Sequence, residues 1–136
     1  MPELPDIELY VTRLRERVVG QRLISFQPYN VFVLRSVTPK PAELAGHMAT
    51  GVSRLGKRVV LEFEDEYFAI IHLMIAGRLT WKEPLPPDKR PTGKLTLAGF
   101  RFENGLLSLQ EMSTRKRASI WLAQGSAGLE AHRRAA

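Results

Sequence analysis

The sequence contains no cysteine among its 136 residues, so neither a disulfide framework nor a thiolate zinc site can be built from this chain alone. Histidine is scarce too. His47, His72 and His132 have no ligand-like spacing, and no metal site is expected. Long apolar runs are missing: the longest, AIIHLMIAG, is too short and too interrupted to span a bilayer. The N-terminus shows no basic stretch followed by an apolar one, so no signal peptide is expected and the chain reads as cytoplasmic. No internal repeat is visible.

What is present is ordinary globular composition, 44% hydrophobic and 25% charged, at a length that suits one domain. Twenty Lys and Arg oppose fourteen Asp and Glu, giving +6 and a pI near 10.1. That excess favours a polyanionic partner, nucleic acid ahead of an anionic membrane. A basic surface that binds nothing fits the charge equally well.

Periodicity divides the chain. Ile7, Val11, Leu14 and Val18 recur at helical spacing, which predicts a helix over residues 6–19, opened by Pro5 and Asp6 and closed by Gly20. Beyond Gly20 the pattern turns β-rich. RLISFQPYNVFVL reads as one strand; RVVLEF and YFAIIHL flank EDE as a hairpin. LTLAGFRF and LLSLQEM flank ENG, whose Asn104-Gly105 pair signals a tight turn. A last strand is expected over residues 118–122, and PKPAELAGH suits a short second helix. EPLPPDKRPTG is a proline-rich loop, longer than a tight turn requires. The tail GSAGLEAHRRAA has no clear terminal element and reads as a linker. One helix followed by at least six strands predicts a mainly β (α+β) fold, an antiparallel β-sandwich or barrel with helices at its edge.

Four segments carry side chains with chemical potential. Pro2 follows the initiator methionine, whose removal would leave a free secondary amine; such an amine attacks an aldehydic carbon and yields an iminium, an electron sink. Glu3, next to it, is placed to donate or relay a proton. The same two residues also fit a simple lead into the helix. Lys57 follows Gly56 at the entrance to a strand, where its ammonium can meet a phosphate or be a solvated turn lysine. In IIHLMIAGRL, His72 reads as a buried, hydrogen-bonded structural histidine. Gly77-Arg78 reads as a turn facing a phosphate, and Met74 or Ile75 as an apolar wedge or core residue. In STRKRASIWL, the cations Arg115, Lys116 and Arg117 follow two hydroxyls, a cluster that suits phosphates or a solvated turn.

Taken together and in order, PELPDIE, GKRVVLEF, FAIIHLMIAGRL and STRKRASIWL resemble the N-terminal domain of the formamidopyrimidine-DNA glycosylase/endonuclease VIII family. The resemblance implies a catalytic β-sandwich flanked by helices over residues 1–123, with residues 124–136 beginning an interdomain linker. It implies a base-excision-repair glycosylase with AP-lyase activity that removes oxidised bases, its target nucleotide flipped out of double-stranded DNA. In that frame Pro2 is the nucleophile at C1′, Glu3 the proton donor, and Lys57 a phosphate contact that supports catalysis. Ile75, Arg78, Arg115, Lys116 and Arg117 are the further DNA-binding residues.

Two departures from the family pattern stand out. Ile75 occupies the place of the family's gap-filling methionine, with Met74 one residue earlier, and Lys116-Arg117 replaces its Arg-Phe pair. Arg117 therefore stands where an intercalating aromatic is usual. Family members run to roughly twice this length, with a helix–two-turn–helix domain and a cysteine zinc finger. The expectation is an isolated N-terminal domain, a monomer without metal or other cofactor, whose zinc would belong to the finger of a longer parent. A non-catalytic DNA-binding relative is the alternative, and a basic interaction module with no nucleic-acid role is a third.

Overall fold

The computed structural model describes residues 3–93, 95–113 and 117–135. Two four-stranded antiparallel sheets face each other across one apolar core. In chain order, α1 (Leu4–Val18), β1 (Leu23–Pro28) and the single-turn α2 (Pro41–Leu44) lead into the hairpins β2 (Ala49–Leu55), β3 (Arg58–Phe63) and β4 (Tyr67–His72). Then come β5 (Gly77–Lys82), β6 (Thr96–Phe102), β7 (Gly105–Glu111), β8 (Ser119–Gln124) and α3 (Gly125–Ala135). One sheet has the order β1-β6-β7-β5 and the other β2-β3-β4-β8, so the predicted sandwich is the observed fold.

The core follows the pleat. In β3, Val59, Leu61 and Phe63 point between the sheets, while Val60 lies on the opposite face among Leu55, Ile70 and Ala123. Phe26 and Phe100 stack at 4.5 Å between centroids inside the core. Helix α1 buries the predicted stripe of Ile7, Val11, Leu14 and Val18 against this core and leaves its charges outside.

Several boundaries differ from the sequence reading, each for a local reason. Helix α1 begins at Leu4 rather than Asp6; Pro5 is accommodated in its first turn, and the Asp6 carboxylate accepts the Glu3 backbone N–H at 3.0 Å. The strand expected from Arg22 to Leu34 stops at Pro28. Asn30 then accepts the Phe32 N–H through its side chain, an Asx turn that redirects the chain to the other sheet, where Leu34 bridges Ile120. Two strands escaped the sequence reading, β2 and β5. Gly77 opens β5 instead of making a turn with Arg78; the turn is Met74–Ala76, with Met74 at φ +58°. In the β6–β7 hairpin the loop residues are Glu103 and Asn104, and Gly105 is the first residue of β7, where a side chain would collide with the Trp81 ring.

The tail is the largest difference. Residues 125–135 form α3 where no terminal element was expected, and Leu129 packs with Trp121 and Phe68 on the outer face of the second sheet. Helix propensity in the tail is diluted by Gly125 and Gly128, so the decisive signal is this packing, which sequence periodicity does not display.

Candidate active site and nucleic-acid interface

The register of the second sheet gathers the candidate residues at one end of the sandwich. Arg58 on β3 pairs with His72 on β4, which pairs with Ser119 on β8. Lys57, the turn after Leu73, and Arg117 therefore all project just beyond the same sheet edge. Sequence order alone separates them by up to 60 positions, and the antiparallel pairing removes that distance.

Lys57 sits in the two-residue loop of the β2–β3 hairpin. Gly56 takes φ +63° and Lys57 does not, the glycine-first pattern of a type II′ turn, whose twist matches the flanking strands. The loop carries the half-buried Lys57 to the start of α1, where its Nζ lies 3.6 Å from Oε2 of Glu3. Asp6 accepts the Glu3 backbone N–H in a capping box at the start of α1, and the Glu3 carboxylate faces Lys57. Pro2, the predicted nucleophile, lies outside the described residues, as do Arg115 and Lys116.

The turn that bears Ile75 is set by a close backbone return. Gly77 N–H donates to the Leu73 carbonyl at 2.9 Å, and a Cβ on Gly77 would stand 2.3 Å from that oxygen. No other residue permits this approach without displacing the turn. Ile75 is held at its tip, 64% exposed. It forms a ridge between two clefts. One, of about 260 Å³, is shared with Glu111, Ser113 and Arg117; the other is a groove of about 640 Å³ between α1 and β5. Arg78 points into that second groove.

Glu111 was not singled out by sequence reasoning, and it is central here. It is 1% exposed at the end of β7, and its carboxylate accepts the backbone N–H groups of Arg117 at 2.7 Å and of Ala118 at 3.2 Å. Hydrogen bonds to a buried carboxylate are strong, so this acid fixes the exit of the basic loop and the exposed Arg117. The signal was an acid closing an apolar strand four residues before the first of three cations. His72 also departs from expectation. It is half-buried, and its ring has no hydrogen-bond partner among the described residues. Burial and then the Arg58 guanidinium lower its pKa from the usual 6.5, so it is neutral at pH 7.

Among the described residues no group of three or more His, Asp or Glu could hold a metal ion, and no helix is long and apolar enough to cross a membrane.

With that geometry in hand, the likeness to known proteins is direct. A family model described as the Formamidopyrimidine-DNA glycosylase N-terminal domain matches residues 1–119. The chain belongs to this family. A formamidopyrimidine-DNA glycosylase of Moorella thermoacetica is 30% identical over 128 residues, covering 90% of this chain and 44% of the relative. One from Lactococcus lactis subsp. cremoris is 38% identical over 79 residues, 57% of this chain and 29% of the relative. Among solved structures, a Lactococcus lactis Fpg mutant in complex with a Fapy-dG containing DNA superposes with a TM-score of 0.82 at 26% identity, over 98% of this chain and 47% of that one. The Lactococcus lactis enzyme bound non-covalently to an AP-site containing DNA gives the same TM-score at 25% identity. The chain spans less than half the length of these glycosylases. This cysteine-free chain offers no thiolate to a zinc ion.

Proposed function

We propose that this chain is the lesion-processing domain of a DNA glycosylase with AP-lyase activity, acting on double-stranded DNA that carries a damaged base or an abasic site. The observation that carries this reading is the meeting of Glu3 and Lys57, a carboxylate and an ammonium 3.6 Å apart at the head of α1, immediately beside Pro2 in the chain.

The chemistry follows from those three groups. After removal of Met1 the Pro2 nitrogen is a secondary amine with a usable lone pair; as an amide it has none. The amine adds to C1′ of an abasic aldehyde, and loss of water gives an iminium that is cationic without protonation. The iminium draws electrons from C2′, whose proton leaves as the C3′–O bond to phosphate breaks. When the base is still attached, the same attack displaces it, and the Glu3 carboxylate takes the proton shed by the attacking amine and relays it to the opening sugar ring. Lys57 holds a phosphate beside the reacting sugar and balances the Glu3 charge. Ile75 and Arg117, on the same end of the sandwich, fill the stack vacated by the flipped nucleotide.

The matched relatives are named as glycosylases, which favours this reading over a DNA-binding relative without catalysis. Binding by the chain, acting as a monomer, rests on backbone phosphates and is steeply salt dependent. The test is incision of an abasic-site duplex at low salt, with a single-stranded nick as the readout. Nicking that is lost in Lys57→Ala and slowed in Glu3→Gln supports the proposal. An intact duplex after prolonged incubation with excess protein contradicts it.

A further inference from the structure

The groove between α1 and β5 takes no part in the reaction above, yet it is a concavity of about 640 Å³. It starts at Asp6, one turn from the Glu3–Lys57 pair, and runs along α1 to Arg17, with Ile75, Arg78 and Trp81 opposite. The eleven helical rises from Asp6 to Arg17 make it about 16 Å long.

Its charges are unevenly committed. At the far end Arg17 pairs with Glu83 at 3.3 Å and lies over the Trp81 ring, while the Trp81 indole N–H donates to the same Glu83 oxygen at 3.1 Å. Asp6 is engaged with the Glu3 backbone. Arg13 and Arg78, exposed on opposite walls, have no hydrogen-bond or ion-pair partner among the described residues. The groove thus holds two uncommitted guanidiniums above an apolar floor of Leu14, Leu79 and Leu107, and it is continuous through Ile75 with the cleft that bears Arg117.

We infer that this groove is a second DNA contact, seating the sugar–phosphate backbone of the duplex as it leaves the lesion, with Arg13 and Arg78 each neutralising one phosphate. The occupant is nucleic acid rather than an acidic protein segment because the groove opens directly onto the ridge at Ile75, where the lesion is proposed to lie. At 3.4 Å per base pair its length corresponds to roughly five base pairs. The inference rests on the DNA-processing reading of the neighbouring site.

The experiment measures affinity for abasic-analogue duplexes that extend by zero, three, five or eight base pairs beyond the lesion, on one side and then the other. Native chain, Arg13→Gln/Arg78→Gln and Lys57→Gln are compared over a salt series, with thermal unfolding to check the fold. The native chain gains affinity from extension on one side up to about five pairs. The double variant loses that gain, and its log–log salt slope falls by about two, close to 0.9 for each phosphate released. A double variant with the native length profile and slope overturns the inference while leaving the lesion site standing, provided Lys57→Gln weakens binding to every duplex. If Lys57→Gln and the double variant both bind as the native chain does, the DNA-processing reading falls as well. Trp81 fluorescence that responds to a poly-glutamate peptide and not to duplex likewise overturns it, in favour of a protein partner.

Discussion

Gly77 and Glu111 are register partners across β5 and β7, and each fixes one of the two loops that carry the exposed Ile75 and Arg117. The pair works by opposite means. Gly77 permits a backbone return that no side chain allows, and Glu111 ties down backbone N–H groups that would otherwise be buried without partners. The proposed wedge role needs Ile75 and Arg117 held in place, and these two residues tie down the backbone next to each.

Glu111→Ala should destabilise the domain by about 2–3 kcal/mol, the cost of stranding buried N–H groups that had a charged acceptor. Glu111→Gln keeps one acceptor oxygen and should lose less. Denaturant midpoints give the stabilities. At temperatures where both variants remain folded, the Ala variant should also bind abasic-site duplex more weakly, since Arg117 is no longer anchored.

Gly77→Ala forces a methyl group onto the Leu73 carbonyl, and overpacking of this kind costs about 1–3 kcal/mol. Ile75→Ala is a sharper probe. Being 64% exposed, Ile75 should affect stability by no more than about 0.5 kcal/mol, while its loss weakens lesion binding several-fold. Equal effects on unmodified and abasic-site duplexes would count against a wedge.

Arg117→Phe exchanges a cation for a stacking ring. Base–aromatic stacking contributes about 1–3 kcal/mol per base, so binding at high salt should strengthen. The salt slope should fall by about 0.9 if the arginine contacts a phosphate, and stay unchanged if it only fills the gap. Titrations at several salt concentrations separate the two roles of Arg117.

His72 and His132 both have pKa values lowered by burial and then by Arg58, and Arg58 also donates to the His132 carbonyl and lies over Trp121. The unfolded chain therefore binds more protons than the native one just below pH 6.5. Their contribution to stability is complete above pH 6.5 and declines as pH falls, levelling off below the folded values. His72→Gln should flatten part of that decline in unfolding midpoints measured from pH 7.5 to 5. An unchanged slope would place the effect elsewhere.

Much of this architecture is legible in the letters because it is local. The Ile7–Val18 stripe, the EDE and ENG hairpins and the Gly56-Lys57 turn all follow from period and turn chemistry. What escaped depends on contacts distant in sequence. Strand β5 looks like the exit of a turn until its pairing with β7 is known, and the tail shows no clear element until Leu129 finds the outer sheet face. Glu111 reads as one more surface acid, and only the return of residues 117–118 over it shows a buried anchor. Arg13 reads as one of several solvated helix cations, and only β5 gives it an opposite wall.

Retention of Met1 converts the Pro2 nitrogen into an amide, so a form with one extra residue ahead of Pro2 should bind abasic-site duplex yet fail to react with it. Parallel binding and incision assays on the two forms separate recognition from chemistry.

The most direct test of the account is reductive trapping. The chain is incubated with abasic-site duplex and borohydride at low salt, and the covalent product is digested and mapped by mass spectrometry. The account predicts a DNA adduct on the residue 2 nitrogen, absent when that nitrogen is acylated. An adduct that maps to Lys57, or no adduct at all with excess protein, would contradict it.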